Sequence, residues 1–494
     1  MKVLFIYSIQ KSVVFGKPLA GQEGIQFGIS YISSLLKQNN HTTELVVIDR
    51  KHGRRNHKLL SRTIDQFSPH LICFTSVHSE FDFILATTKY LKAQFPDIPL
   101  MGGGVHITLN PSEKLLDVFN GLCIGEGEYP VLEYITHLEK GLPVRQIENL
   151  WIKENDIVYR NKVRNFINDL DALPFPDRSI WQKWILEPQT RITILLGRGC
   201  PYNCTYCCNH RLRKIAGGTY VRLRNPDNIV QEIELIHEEL PAIDEYFLEV
   251  ETIGCDMDWL NDLCEKLSRL NRSKSHKLRF STNLRISPLM DYDSIFRNLK
   301  HANFESVIIG LESGNERIRK EILNRAYSNE NILQAVQSAR KHGIKIGLFN
   351  MVGIPTETPA DFAETVKMNQ LIEPDWHSTS IFFPYQGTKL YELTEELGLI
   401  PQKLNTNSER QKAVLNLPGF SRNQIQQSFD SFHYLVYKAH KSKTFPKLII
   451  YYIMQFTGHN FFANAKLKLI AVLYRLRLFN IARKLRLFGV FQKT

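Results

Sequence analysis

The chain has 494 residues, 43% of them hydrophobic and 11% aromatic, and a formal net charge of +12. That length exceeds one ordinary domain, and the composition excludes a disordered or collagen-like chain. The charge is local: no acidic residue follows Asp430, and the twelve Lys and Arg beyond it equal the whole net charge, so the body before it is close to neutral and offers no obvious nucleic-acid surface.

Residues 3–7 (Val-Leu-Phe-Ile-Tyr) read as a buried strand, not as a signal peptide. Residues 25–37 have helical periodicity, with Ile29, Ile32, Leu35 and Leu36 on one face. Strands follow at 44–48 and 71–75, with helical patterns at 57–67 and 83–95. A short strand ends at Gly102-Gly103-Gly104, and another at 121–124 runs into Gly125-Glu126-Gly127-Glu128, which opens a helix. This alternation predicts a doubly wound, Rossmann-like α/β domain over 1–145, with ligands at the carboxyl ends of the strands. Residues 146–190 read as a connector with a small hairpin (150–152 and 157–159). Six further strands are expected at 191–196, 245–250, 277–282, 306–310, 345–352 and 378–383, separated by helices such as 228–239 and 258–269. Six βα units over 191–400 make a partial (β/α)6 barrel, with active residues at the strand ends. Residues 401–494 remain as a basic helical region. No run reaches the roughly 18–20 apolar residues that span a bilayer.

The most informative segment is Gly199-Cys200-Pro201-Tyr202-Asn203-Cys204-Thr205-Tyr206-Cys207, just after the first barrel strand. Three thiolates spaced C-x-x-x-C-x-x-C suit a cluster that takes protein ligands on three irons and leaves the fourth open for chemistry. A structural zinc site is the alternative. It needs four ligands, and no second C-x-x-C exists, although His210 is a candidate fourth. Cys208 directly follows Cys207, and adjacent side chains rarely serve one ion well. With eight cysteines in all, the pattern points to a reducing cytoplasm and a metal rather than disulfides.

This loop resembles the signature of the radical S-adenosylmethionine (SAM) superfamily. The resemblance implies a [4Fe–4S] cluster on Cys200, Cys204 and Cys207, with the methionine group of SAM on the open iron and reductive cleavage to a 5′-deoxyadenosyl radical. Tyr206, the aromatic residue before the last cysteine, would lie by its backbone near the adenine. The later strand ends agree in order. Phe247-Leu248-Glu249-Val250-Glu251 stands where the family places polar groups near the methionine amine, with Glu249 the better-placed candidate; relatives of this domain order usually have an Asp-rich segment there. Ser281-Thr282-Asn283-Leu284-Arg285 ends the third strand, and Ser281 and Arg285 are candidate cofactor contacts. Gly310-Leu311-Glu312-Ser313-Gly314 is similar to the family's G-x-E-S-G, which makes Glu312 a further contact. Gly353-Ile354-Pro355-Thr356-Glu357-Thr358 and Pro384-Tyr385-Gln386-Gly387-Thr388 resemble two more family segments. A lone Glu before Ser-Gly is usually a cap or turn residue; four such segments in order are harder to reach by chance.

The glycine turns of the first domain have a bland reading as ordinary α/β turns. Dinucleotide binding fits less well, because G-x-G-x-x-G belongs after the first strand. Together, Gly102-Gly103-Gly104-Val105-His106-Ile107-Thr108, Gly125-Glu126-Gly127-Glu128 and the strand end at Ser76 resemble the cobalamin-binding domain fused in front of many radical SAM enzymes. That resemblance, over roughly residues 1–400, implies cobalamin held by Ser76, Gly102, Gly103, Gly104, Gly125 and Glu126. The axial-histidine motif D-x-H-x-x-G is missing, since Asp49-Arg50-Lys51-His52-Gly53 has the wrong spacing. His106 is then expected to order its loop or touch the corrin.

The implied activity is transfer of a methyl group to an unactivated carbon of a small-molecule or lipid-like substrate, with a reducing partner such as a flavodoxin or ferredoxin. The alternatives are a cobalamin radical SAM enzyme that cyclises, rearranges rings or joins carbons, and, from another class, a cobalamin or iron–sulfur sensor. The expected location is cytoplasmic. Residues 460–488 interleave apolar residues with Lys and Arg at helical spacing. They read as a basic cap on the barrel, as an interfacial segment making peripheral contact with anionic lipid at the inner face of the membrane, or, with less support, as a nucleic-acid-binding segment.

Overall fold

The computed structural model describes residues 1–10, 12, 14–187, 191–407, 409–439 and 452–453. The expected tail helix at 460–488 lies outside the described residues.

The first sheet has seven strands: β1 (Lys2–Ile9), β2 (Thr42–Asp49), β3 (Leu71–Thr75), β4 (Leu100–Gly103), β5 (Gly121–Cys123), β6 (Leu150–Glu154) and β7 (Ile157–Arg160), in the order β2-β1-β3-β4-β5-β6-β7. The first five are parallel. Their residues are buried on both faces, as Val3, Leu4, Phe5 and Ile6 show at 1% exposure or less. Five helices connect and cover them: α1 (Phe27–Gln38), α2 (Gly53–Phe67), α3 (Phe81–Gln94), α4 (Val105–Leu109) and α5 (Glu128–Lys140). The apolar face expected of α1 is buried at Ile29, Leu35 and Leu36, and the helix starts where the Gln26 side chain accepts the Ile29 amide at 2.7 Å.

The hairpin assigned to the connector belongs instead to this sheet. β6 pairs antiparallel with β5, and β7 with β6. Without it the short β5 would be an open edge, and Leu150 and Ile152 bury themselves in covering it. The first sheet therefore runs to Arg160 rather than ending by 145.

The second sheet is parallel throughout: β8 (Ile192–Leu195), β11 (Glu245–Glu249), β12 (Arg279–Leu284), β13 (Phe304–Glu312), β14 (Lys345–Val352) and β15 (Trp376–Ile381), in the order β15-β14-β13-β12-β11-β8. Between β8 and β11 lie a two-stranded antiparallel ribbon, β9 (Gly197–Arg198) with β10 (Arg222–Leu223), and the short helix α6 (Asn209–Leu212). Helices α7 (Pro226–Glu239), α8 (Met257–Ser273), α9 (Tyr292–His301), α10 (Asn329–Lys341) and α11 (Pro359–Ile372) pack outside. The two-residue alternation of a strand sends Tyr246, Leu248, Phe280, Leu284, Val307 and Ile309 outward into the helical core. It turns Glu249, Ser281, Asn283 and Glu312 inward.

Residues beyond the barrel complete it. After α12 (Lys389–Glu396), helix α13 (Arg422–Tyr437) buries Ile425, Phe429, Phe432 and Val436 in one cluster with Met351, Phe362 and Ile381. The expected boundary at 400 is too early, because β15 and α11 would otherwise leave that apolar surface bare. Among the described residues, no helix is long and apolar enough to cross a membrane.

Candidate functional site

The cysteine loop leaves β9 through Gly199, which holds φ +86. A Cβ there would collide with the Tyr220 carbonyl of the facing chain, so this position needs glycine. Cys200 and Cys204 are each 8% exposed. The Cys207 amide donates to the Cys204 carbonyl at 3.3 Å, and Asn209 Nδ2 lies 3.4 Å from Cys207 Sγ. Burial pushes the Cys200 thiol up to about 12, and the charges of Cys204 and Cys207 add to the rise. The neighbouring Cys208 thiol is the largest of the influences that draw the Cys207 thiol down to about 7. Among the described residues, no three His, Cys, Asp or Glu side chains already stand at the spacing of a closed metal site, so the fit of a cluster rests on the donor set.

Behind the loop lies a buried polar network that the sequence did not disclose. Tyr206 Oη donates to Glu312 Oε1 at 3.0 Å. Arg325 donates to Tyr206 Oη at 2.6 Å and to the Gly310 carbonyl at 2.7 Å, and its Nη1 stands 3.2 Å from Glu312 Oε1. Tyr327 Oη also donates to the Gly310 carbonyl, at 2.9 Å. Glu312 ends β13 with φ +61, a left-handed conformation uncommon outside glycine. A Cβ on Gly310 would come within 2.6 Å of Glu312 Oε1 and 3.1 Å of Arg325 Nη2, so this glycine makes room for the pair.

Arg285 lies across the loop with its guanidinium 3.5 Å from the Tyr202 ring centroid. One nitrogen reaches the Asn324 carbonyl at 3.4 Å, while Nε and Nη1 are buried without a partner. Two orphaned donors on a cation fit an anionic ligand. Ser281 Oγ is likewise buried and unpartnered. Glu249 receives only a 3.4 Å contact from Asn283 Nδ2. Burial, reinforced by Glu251, raises its carboxyl to about 7 despite Arg191.

The two sheets meet across a cavity of about 430 Å³, within the range that takes sizeable organic ligands. Thr75, Gly103, Gly104, Thr108 and Gly125 line it from the first domain; Gly199, Asn209, Glu249 and Glu251 line it from the barrel. Gly104 has φ +90, and a Cβ there would fall 2.6 Å from Ser76 N and Thr75 Oγ1. Ser76 is 2% exposed and its Oγ donates to the Gly103 carbonyl at 3.1 Å, so it secures the glycine turn rather than facing the cavity. Gly102 serves packing, since a Cβ would press within 2.8 Å of Ile107 Cδ1. His106 is outside the cavity lining: it is 8% exposed, its ring 4.2 Å from that of Phe81 and 5.2 Å from that of His78. Burial, with His78 nearby, lowers it to about 4. His106 thus packs against Phe81 and His78, with its Nδ1 buried and unpartnered.

Glu126 reaches the cavity wall, but its carboxylate is committed. Burial works to raise its pKa, yet Arg198 and Arg222 hold it below the usual carboxylate range. Oε1 pairs with Arg198 at 2.9 Å, and Oε2 accepts the Ile167 amide at 2.8 Å. Arg198 was not singled out in the sequence, and Thr108 stood there only as the end of the glycine segment. Thr108 accepts the Gly125 amide at 3.0 Å and so joins the two glycine turns. Arg198 had one signal, its place between two glycines immediately before the cysteine loop; Arg325 had none.

Comparison with known proteins agrees with this arrangement. Residues 194–368 match the Radical SAM superfamily, and residues 19–135 match the B12 binding domain. An uncharacterized methyltransferase of Pyrococcus horikoshii is 23% identical over 397 residues, covering 79% of this chain and 83% of that protein. The anaerobic magnesium-protoporphyrin IX monomethyl ester cyclase of Cereibacter sphaeroides is 22% identical over 378 residues, covering 74% of this chain and 59% of that protein. Among solved structures, the cobalamin-dependent SAM radical enzyme OxsB, with aqua-cobalamin and SAM bound, superposes with a TM-score of 0.69 at 17% identity, covering 92% of this chain and 72% of that one. The chain is a radical SAM enzyme with a B12-binding domain in front of its barrel, and its cofactors are a [4Fe–4S] cluster, SAM and cobalamin.

Proposed function

We propose that this radical SAM enzyme is a cobalamin-dependent methyltransferase acting on an unactivated carbon of a small-molecule or lipid-like substrate. The observation that carries the reading is the interdomain cavity, in which the glycine turns of the B12-binding domain face the end of β11 and the start of the cysteine loop. Two cofactors in one enclosure can act on one substrate carbon without exposing it to water.

In this reading Cys200, Cys204 and Cys207 hold three irons. Arg285 takes the SAM carboxylate on its two orphaned nitrogens, and Glu249, when ionised, takes the ammonium. Glu312 keeps Oε1 on Tyr206 and Arg325, and so holds the loop against β13. Ser281 faces the lumen as a free hydroxyl. Gly103, Gly104 and Gly125 let a flat macrocycle approach the backbone. When bound, the cluster with SAM supplies hydrogen-atom abstraction and cobalamin supplies a methyl group. A one-electron donor such as a flavodoxin or ferredoxin completes the scheme.

The similarity to the ester cyclase favours a second reading, in which both cofactors serve a ring closure or rearrangement. One experiment separates the two. The protein is purified anaerobically with hydroxocobalamin, its iron and cobalt are measured, and it is incubated with reductant, methyl-labelled SAM and a small-molecule extract. Methylation yields 5′-deoxyadenosine with label in an extract component. Equal 5′-deoxyadenosine with unlabelled product selects the second reading. A protein with full iron that never forms 5′-deoxyadenosine would refute both.

A further inference from the structure

The ion pairs around Glu126 join two parts of the molecule that are remote in sequence. Arg198 is the second residue of β9, two positions before Cys200. Its Nη1 donates to Glu126 Oε1 at 2.9 Å and its Nη2 to Glu128 Oε1 at 2.6 Å. Arg222, on the facing strand β10, reaches Glu126 Oε1 at 3.0 Å and the Ile167 carbonyl at 2.7 Å. The side chains of Glu128 and Arg222 are 3% and 4% exposed, and those of Arg198 and Glu126 are 17% and 18% exposed. The Arg198 guanidinium also lies 5.1 Å from the Tyr31 ring centroid. An exposed ion pair contributes little, but breaking a buried one is costly because it leaves a charge without its partner.

The position of this clamp gives it a consequence. Glu126 and Glu128 flank Gly127, directly after Gly125, whose left-handed turn lines the cavity. Arg198 is flanked by Gly197 and Gly199, and both are packed so closely on the β10 segment that neither tolerates a Cβ. A ligand pressing on the Gly125 turn therefore loads Arg198, and β9 joins Arg198 directly to the cysteine loop. Movement of the loop is transmitted to the cavity wall by the same route.

We propose that Arg198 is a positioning residue that couples the two cofactor sites, so that filling of the interdomain cavity by cobalamin and seating of SAM on the cysteine loop are thermodynamically linked. Linkage is reciprocal: each ligand changes the affinity for the other by the same factor. The inference rests on the assignment of cobalamin to the cavity and of SAM to the cysteine loop.

The test uses the full chain carrying its cluster. SAM dissociation constants are measured by equilibrium dialysis without and with saturating hydroxocobalamin, and hydroxocobalamin binding is followed by visible absorbance without and with SAM. The wild type should show a matched change of about 5-fold or more in both affinities, the lower end of ordinary allosteric coupling. Arg198→Met, which keeps length and removes the charge, should bring both ratios close to one. Glu128→Gln, which keeps shape and loses charge at the far end, should give an intermediate ratio and stands in if Arg198→Met fails to fold or to hold iron. A wild type that binds both ligands independently overturns the proposal, as do variants that keep the full ratio; either result leaves the site assignments standing. A wild type with full iron that binds no hydroxocobalamin refutes the cavity assignment itself, and the coupling with it.

Discussion

Glu249 sets up a pH dependence whose size follows from its surroundings. Burial and the neighbouring Glu251 raise its carboxyl to about 7, against a reference near 4.3 for an exposed glutamate. If Glu249 holds the SAM ammonium, binding requires an ionised carboxylate and a protonated amine whose pKa is about 7.8. The ionised fraction of Glu249 is then roughly 0.1 at pH 6 and roughly 0.7 at pH 7.4, while the amine stays mostly protonated over that range, so apparent SAM affinity should rise about sixfold between those values and fall again above about pH 7.4. Stability runs the other way. A carboxyl whose folded pKa is raised contributes stability that is complete below its unfolded pKa and is lost as pH rises through about 7; at pH 8 the ionised group costs on the order of 3 kcal/mol. Glu249→Gln should therefore melt at a higher temperature than the wild type at pH 8, and should show a SAM-binding profile without its acid limb. Equilibrium dialysis of SAM across pH 5.5–9, beside thermal melts at pH 5 and 8, reads both effects. An acid limb of unchanged slope in Glu249→Gln would show that another group titrates there and would refute the assignment.

Three further outcomes follow from the geometry. Gly104→Ala must adopt φ +90 and place a Cβ 2.6 Å from Ser76 N; it should lose on the order of 2 kcal/mol in a denaturant melt and most of its hydroxocobalamin uptake, whereas Gly53→Ala, where a Cβ meets nothing within 4 Å, should change neither. Arg325→Met leaves Glu312 buried beside Tyr206 without its cation and should cost about 3–5 kcal/mol; Glu312→Gln paired with it should recover part of that loss in a double-mutant cycle, and strict additivity would argue against the pair. Cys204→Ala should reduce iron to background after anaerobic reconstitution, while Cys208→Ala, which removes only the thiol next to Cys207 in the chain, should keep its iron. Loss of iron in Cys208→Ala would assign that residue a ligand role.

The features legible in the sequence were local ones. Strand–helix alternation in both halves, the C-x-x-x-C-x-x-C loop and the glycine turns depend on residues a few positions apart, so periodicity and spacing expose them directly. Glu249 and Asn283 come together for the same reason, each being an inward position on neighbouring strands of an expected sheet. The packing of His106 against Phe81 is likewise between segments close in the chain. Tertiary structure decided the rest, because the energies involved arise between segments far apart in the chain. Only the open edge of β5 determines that β6 and β7 extend the first sheet, and only the bare side of β15 and α11 calls for α13. Arg325 meets Tyr206 across 119 positions, and Arg198 meets Glu128 across 70. An arginine in a sequence reads as a solvated charge until a fold buries it against a carboxylate, and here that burial ties together segments remote in the chain.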